Sequence, residues 1–334
     1  MADPIRIPTV TSPFLRFEAL GKLTWSECFA FNRLEIMDNF VGPLMAVPGE
    51  SQASTRKLAC LLYAMMQQQH DISASTAILR DFVKPAGLNY PKVDLLAAEV
   101  STSTPIGRVH WSPSGAPRLH VYCHTIFDLL GACLSEAAHL PALSPEQKER
   151  TKRNYFARLA SLYSHWCFRL LDTQDQDRRP AKIGLACVGN VIVLGSCIPR
   201  VPQIPEGKEV IRKSRFVDLR ARGRQEGSKK QILDPTKAER IAQDYGNCAE
   251  TWTFALLCTL SEESLPKAFG VAVNIPQTLV LEYNEQEERD ISRYAPLCVN
   301  CEKLMKQIVR WGAPGDKVVE NFTAWRWTLH PADV

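Results

Sequence analysis

The sequence predicts an α/β protein in which a mainly helical region precedes a region that contains a sheet. Two observations lead to this fold class. After residue 180, apolar segments rich in Val and Ile alternate with segments of helical periodicity, which indicates helices packed on a mixed or parallel sheet. Before that point, helical periodicity dominates and the connections are polar. We therefore divide the 334 residues into a mainly helical N-terminal domain, 1–180, and an α/β domain, 181–334.

Two segments of the N-terminal domain carry the clearest helical patterns. Residues 54–68 begin with Ser and Thr, which are suited to an N-cap, and then place apolar residues at spacings of three and four. Residues 146–172 carry a longer apolar stripe that includes aromatic residues. We interpret both stripes as core-facing rather than ligand-binding. Between these helices, residues 108–111 and 118–123 flank a segment of Pro, Ser and Gly that is typical of a hairpin or an exposed loop.

The strongest strand signal opens the α/β domain. Residues 183–188 and 191–197 are rich in Val and Ile, and Gly189 and Asn190 between them are typical of a hairpin turn. Because apolar and polar residues scarcely alternate, we expect both strands to be buried on both faces. The apolar stretch is too short to span a bilayer, so the sequence predicts no membrane segment.

Helices and further strands should follow this hairpin in alternation. One helix is expected to begin at Cys248, and Pro296 precedes an amphipathic segment that indicates a second. The middle strand is expected at 269–275 or at 278–283, and a last strand at 317–325.

Three cysteines and one glutamate form a pattern that indicates metal chemistry. Cys248 and Glu250 are separated by one residue, and Cys298 and Cys301 follow, separated by two. Structural zinc takes four protein ligands, whereas catalytic zinc keeps one coordination position open. Three thiolates and a carboxylate that is not a ligand therefore predict an open Zn²⁺ site, placed at helix starts whose dipoles favour thiolates. The alternative is a chance Cys-x-x-Cys among 11 cysteines, with Cys248 beginning an ordinary helix.

This pattern resembles the zinc centre of the cytidine deaminase-like superfamily over roughly residues 181–323. In that superfamily a Cys-x-Glu or His-x-Glu pair and a later Pro-Cys-x-x-Cys build the metal centre, and the glutamate transfers protons. The resemblance implies that Cys248, Cys298 and Cys301 hold Zn²⁺, and that Glu250 carries protons in a hydrolytic deamination. It also implies an α/β/α sandwich with a mixed sheet, in which the hairpin precedes the first zinc helix.

Two features depart from the superfamily pattern. Leu297 separates Pro296 from Cys298, whereas the proline usually precedes the first cysteine of the pair directly. The spacing from Cys248 to Cys298 is also longer than usual, which implies an insertion between the two zinc helices.

A basic insertion, 199–233, lies between the hairpin and the first cysteine. Between residues 208 and 230 it contains nine Lys or Arg and three acidic residues, which is more positive charge than the whole chain carries, at a formal net +4. Such a segment is typical of proteins that contact phosphates. The alternative is a solvated loop with an incidental positive charge. The candidate phosphate contacts are Arg212, Lys213, Arg215, Arg220, Arg222 and Arg224.

The remaining cysteine and histidine residues indicate no second site. His120, Cys123 and His124 lie close together in the sequence, but a metal there would lack a nearby third ligand, so we interpret them as structural. The odd number of cysteines, 11, and the absence of a signal-peptide pattern favour a reducing intracellular compartment, cytoplasmic or nuclear, over secretion.

The sequence thus predicts an enzyme, a zinc-dependent hydrolase acting on the amidine C–N bond of a nucleobase. A cytosine-type base in a nucleotide or a single-stranded nucleic acid is favoured, because the basic insertion indicates phosphate contacts. One alternative is a deaminase of free nucleosides. A second is a non-enzymatic interaction protein with a structural zinc, and a third is a deaminase-like effector or toxin module. An oligomer is compatible with each of these.

Overall fold

A computed structural model describes residues 15–21, 23–68, 109–111, 121–138, 148–170, 179–189, 191–199, 247–257 and 268–275, together with residues 212, 215, 294–295, 297–298, 301 and 305. The predicted strands at 278–283 and 317–325 lie outside these residues. Among the described helices, none is both long and apolar enough to cross a bilayer.

The N-terminal part consists of short helical segments followed by one long helix. Two of the short segments begin with a capping box, in which an N-cap side chain and a glutamate three residues later satisfy each other's backbone N–H groups. The elements are a 3₁₀ turn at Glu18–Leu20, α1 at Trp25–Ala30, α2 at Arg33–Glu35, a π-helical segment at Ile36–Val41, α3 at Gly42–Met45, a 3₁₀ turn at Glu50–Gln52, and α4 at Ala53–Gln68. Helix α4 confirms the prediction for 54–68.

Two further helices and a small hairpin complete the part before residue 180. Strands β1, Val109–Trp111, and β2, Val121–Cys123, pair antiparallel, so the hairpin alternative is confirmed. Helix α5, Ile126–Ala137, was not predicted, although its apolar residues follow a helical spacing; all of its residues are buried. Helix α6, Lys148–Arg169, confirms the prediction for 146–172.

The main sheet contains β3, Lys182–Val188, and β4, Val191–Ser196, joined by a tight turn in which Gly189 has a φ of 57°. Helix α7, Ala249–Leu257, follows, and then β5, Phe269–Asn274, which confirms the first of the two middle-strand alternatives. A short strand β6, Tyr294–Ala295, was not predicted.

The strand order is β4-β3-β5-β6, and each neighbouring pair among these described strands is antiparallel. The mixed or parallel sheet predicted from the sequence is therefore not found in this part of the chain. The physical reason lies in the position of β3. Strands β4 and β5 run in the same direction, as expected for strands joined through a helix, but β3 lies between them and is antiparallel to both.

Both faces of the central strand are covered. Residues 183–187 of β3 are all buried, which confirms the predicted burial on two faces. Helix α6 connects the sheet to the N-terminal helices, because Ser164 donates to the carbonyl of Asn274 at 3.4 Å and the indole of Trp166 donates to the carbonyl of Cys28 at 2.7 Å. The buried side chains form one cluster from Leu15 to Met305. The domain boundary at residue 180 stays a prediction.

Candidate metal centre

The start of α7 lies directly on the central strand of the sheet. A Cβ atom added to Gly184 in β3 would lie 3.1 Å from the carbonyl carbon of Ala249, the first residue of α7. Glycine at this position therefore allows the strand and the helix start to approach closely. The segment after β4 is attached as well, because the amide of Ile198 donates to the carbonyl of Asn247 at 3.1 Å. These contacts fix the backbone on both sides of Cys248.

The three predicted cysteines come together at this point. The Sγ atoms of Cys248, Cys298 and Cys301 all lie within 4.8 Å of one another, and those of Cys248 and Cys298 are 3.5 Å apart. The amide of Cys301, which is in helical conformation, donates to the Sγ atom of Cys298 at 3.4 Å. Cys248 and Cys301 are buried and Cys298 is partly buried. The group could hold a metal ion, and among the described residues it is the one such group of His, Cys, Asp and Glu.

The surroundings of these thiols oppose their ionisation when no metal is bound. Hydrogen bonding to Cys298 and burial raise the pKa of Cys248, although its hydrogen bond with Cys301 lowers it. Hydrogen bonding to Cys248 and to Cys298, together with burial, raises the pKa of Cys301 well above its ordinary value. Both thiols are therefore protonated at neutral pH, so a metal that binds thiolates has to displace their protons.

Glu250 lies in the first turn of α7 and is buried, with 5% of its surface exposed. Burial raises the pKa of its carboxyl group to about 7, and the charge of Cys298 acts in the same direction. A hydrogen bond to a backbone amide and the positive charge of Lys182, at the start of β3, oppose this increase. A carboxyl group with a pKa near 7 exchanges its proton readily at neutral pH, which is the property required of a general acid and base.

The basic insertion has a different outcome, because one of its arginines belongs to the core. The guanidinium group of Arg215 donates to both carboxylate oxygens of Asp128, at 2.9 and 3.0 Å, and only 1% of the Arg215 side chain is exposed. Arg215 therefore has to be removed from the candidate phosphate contacts. Composition alone gives no sign of this, since the partner lies 87 residues away.

The other candidate phosphate contacts are described only in part. Arg212 is half-buried. It is in helical conformation, as is the buried Arg215 three residues later. Lys213, Arg220, Arg222 and Arg224 lie outside the described residues, so their phosphate contacts stay a prediction.

Sequence reasoning missed Asp128 and Ser196, which meet Arg215 beside the end of β4. Asp128 is the third residue of α5 and forms a capping box with Thr125. The Thr-x-x-Asp spacing before an apolar run is the signal that could have located this helix start. Its pairing with Arg215 has no counterpart in the sequence pattern.

The centre has to be interpreted from its own residues. Comparisons of this chain with family models, with curated proteins and with solved structures find no match.

Proposed function

We propose that this chain is a zinc-dependent hydrolase that deaminates a nucleobase, with a cytosine-type base in a nucleotide or single-stranded nucleic acid as the favoured substrate. The observation that carries the proposal is the meeting of three thiols, Cys248, Cys298 and Cys301, beside a buried carboxyl group, Glu250, whose pKa is raised to about 7. This is the combination of groups that the resemblance to the cytidine deaminase-like superfamily implies.

The donor set fits zinc in its chemistry and its spacing. Thiolates are soft ligands that favour zinc over magnesium or calcium. Zn–S bonds of about 2.3 Å in a tetrahedron place the sulfur atoms about 3.8 Å apart. The separation of 3.5 Å between Cys248 and Cys298, and the limit of 4.8 Å within the group, are compatible with that value after small adjustments. Within the described part of the chain no fourth ligand belongs to the group, which supports an open coordination position.

Glu250 would perform the proton transfers of the reaction. A zinc ion at the three sulfur atoms would lower the pKa of water and so supply the nucleophile at neutral pH. Glu250 would carry one proton of the attacking water to the ring nitrogen of the base and the second proton to the departing amino nitrogen. A C–O bond forms, the C–N bond breaks and ammonia leaves, so one water molecule is consumed for each base deaminated. A pKa near 7 suits both transfers, because neither protonation state of Glu250 is strongly disfavoured.

Metal content and ammonia release measured on the same samples test the proposal. The wild type should contain about one zinc ion per chain and release ammonia from a cytosine-type substrate. Cys298→Ser should lose both. The matched control is Cys187→Ala, because Cys187 is a buried cysteine of β3 outside the thiol group and its loss should leave the zinc content unchanged. A well-folded wild type without zinc and without turnover would contradict the proposal.

Glu250→Gln separates the enzyme from a protein in which zinc is only structural. The variant should keep its zinc and its fold, while turnover falls by roughly 10²–10⁴-fold, the usual contribution of a general acid and base. Glu136→Gln is the matched control, because Glu136 is also a buried carboxyl group but lies in α5. If neither protein turns over any base although zinc is bound, the interaction protein with a structural zinc becomes the better interpretation.

A substrate panel separates the two kinds of deaminase. It should contain free nucleosides, nucleotides and single-stranded oligonucleotides, each with cytosine, adenine or guanine. Because the basic insertion favours phosphate contacts, nucleotides and oligonucleotides should be turned over faster than free nucleosides. Turnover of free cytidine alone would favour the nucleoside deaminase.

A further inference from the structure

The ion pair between Arg215 and Asp128 is deeply buried. The side chains are 1% and 0% exposed, and the guanidinium contacts both carboxylate oxygens. Hydrogen bonds to the remaining polar atoms stabilise a buried pair of this kind. Arg215 uses two of its three guanidinium nitrogens in this way, whereas its Nε atom has no hydrogen-bond partner among the described residues. Arg215 therefore attaches the basic insertion to the core at this residue.

Asp128 accepts further hydrogen bonds that join separate segments of the chain. Its Oδ2 atom accepts from the amides of His124 and Thr125, at 3.1 and 3.2 Å, and so caps the start of α5. Its Oδ1 atom accepts from the hydroxyl of Ser196, the last residue of β4, at 3.4 Å. The carboxylate is thus the point where α5, the end of β4 and Arg215 meet.

Arg215 also holds the end of β4 directly, and this segment leads to the metal centre. A second guanidinium nitrogen donates to the carbonyl of Ser196 at 2.9 Å. Two residues later, the amide of Ile198 donates to the carbonyl of Asn247 at 3.1 Å, and Asn247 immediately precedes Cys248. Between them, the Sγ atom of Cys197 accepts from the amide of Lys182 at 3.3 Å, which holds the segment against β3.

We propose that Arg215 and Asp128 are a positioning pair for the metal centre. They hold residues 196–198 so that the backbone before Cys248 has the geometry in which its thiol meets those of Cys298 and Cys301. Groups that orient metal ligands typically change metal affinity by about 10–100-fold when they are removed. The inference deepens the proposed function, because it rests on metal binding at the three cysteines.

Cobalt binding provides a test that does not depend on turnover. Co²⁺ bound by thiolates gives a charge-transfer absorption and d–d bands that report ligand number and geometry, and competition with a chelator gives the affinity. Arg215→Met removes the charge and the three hydrogen bonds to Asp128 and Ser196 while keeping much of the side-chain volume. Arg215→Lys keeps the charge but has a single nitrogen atom in place of the two that contact Asp128 and Ser196. It also serves as the second variant if Arg215→Met does not fold.

Glu136→Gln is the matched control, because Glu136 lies two turns after Asp128 in the same helix. Its buried carboxylate accepts from the indole of Trp111 at 2.9 Å and from Arg16 at 3.4 Å, so it also joins segments distant in sequence. Its partners Trp111, Arg16 and Thr55 lie outside the segment 196–198 and outside α7. The control variant should therefore lose stability without changing the affinity for Co²⁺ or the d–d bands.

The expected result is an affinity for Co²⁺ at least about tenfold lower in Arg215→Met than in the control, with altered d–d bands, and an intermediate value in Arg215→Lys. All proteins are compared at a temperature at which circular dichroism shows them folded. Equal affinities in the Arg215 variants and the control would overturn the positioning role and leave the proposed function intact. Failure of the wild type itself to bind Co²⁺ or Zn²⁺ would overturn both.

Discussion

Substitution of Gly184 by alanine tests how closely the central strand supports the metal centre. A Cβ atom at this position would lie 3.1 Å from the carbonyl carbon, 3.2 Å from the carbonyl oxygen and 3.3 Å from the Cβ atom of Ala249. Carbon atoms in normal contact are about 3.5–4.0 Å apart, so the start of α7 has to move by a few tenths of an ångström. Ala249 lies between Cys248 and Glu250, and the displacement therefore affects a proposed metal ligand and the proposed proton carrier together.

The effect on stability follows from two opposing terms. Overpacking of a tight interior contact costs about 1–3 kcal/mol. Replacement of glycine by alanine in an extended conformation recovers about 0.4–1 kcal/mol, because the unfolded chain has fewer accessible states. We expect a net loss of about 1–2 kcal/mol in the free energy of unfolding. Metal affinity should fall by about tenfold as well, which is the lower end of what removal of a supporting group causes.

Gly131→Ala in α5 is the matched control. The added Cβ atom would lie 2.7 Å from the carbonyl oxygen of Leu194 and 2.8 Å from the hydroxyl of Tyr163, so the contact is tighter than at Gly184. Its cost of about 3 kcal/mol is reduced by about 1 kcal/mol through helix propensity. The contacts involve β4 and α6 rather than α7, although Leu194 lies two residues before Ser196. The affinity for metal should therefore fall less than in Gly184→Ala.

Urea unfolding of the metal-free proteins and chelator competition with Co²⁺ measure the two quantities separately. The reasoning requires that Gly131→Ala lose at least as much stability as Gly184→Ala, and that Gly184→Ala lose more metal affinity than Gly131→Ala. It is refuted if Gly184→Ala binds Co²⁺ as tightly as the wild type, or if both variants weaken binding to the same degree.

Three further predictions concern charge. Since the pKa of Glu250 is raised from 4.5 to about 7, its contribution to the stability of the metal-free protein should be complete below pH 4.5 and be lost as the pH rises through 7; urea unfolding of Glu250→Gln should lack this decline. Because the pKa values of Cys248 and Cys301 are raised, zinc binding at pH 7 should release protons and should weaken as the pH falls. Calorimetry in buffers of different ionisation enthalpy measures the proton release, and binding without it would contradict the assignment of the thiols as ligands. Turnover of an oligonucleotide should fall steeply with added salt, whereas turnover of free cytidine should not, and equal salt dependence would remove the basic insertion from substrate binding.

The elements that the sequence predicts correctly are those with a local signal. The hairpin of β3 and β4 has a turn pair at Gly189 and Asn190 and continuous apolar strands, and it is found with its predicted burial. The meeting of Cys248 with Cys298 and Cys301 is likewise found, because the spacing encodes a chemical requirement rather than a shape. In both cases the residues that form the sequence pattern are also the residues that contact one another in the fold.

The elements that the sequence does not predict depend on contacts between distant segments. Composition places Arg215 among surface cations, and only the fold shows that it reaches Asp128, 87 residues earlier. The antiparallel direction of the strand pairs also depends on such contacts, because the alternation of strands and helices in the sequence does not indicate that β3 lies between β4 and β5. Helix α5 is an exception, because its Thr-x-x-Asp start and its apolar residues at helical spacing are local signals that could have predicted it.

The candidate metal centre depends both on residues with a local sequence signal and on contacts between distant segments. Gly184 contacts the helix start from β3, and Ile198 holds Asn247 from the segment after β4. The first is a close approach to the backbone of Ala249 and the second is a backbone hydrogen bond. Contacts of this kind are difficult to predict from residue types. The cysteines can therefore be recognised from the sequence, whereas we expect the metal affinity of the site to depend on contacts that only the fold supplies. Variants of Gly184 and Arg215 should thus change metal binding although neither residue belongs to the Cys and Glu pattern.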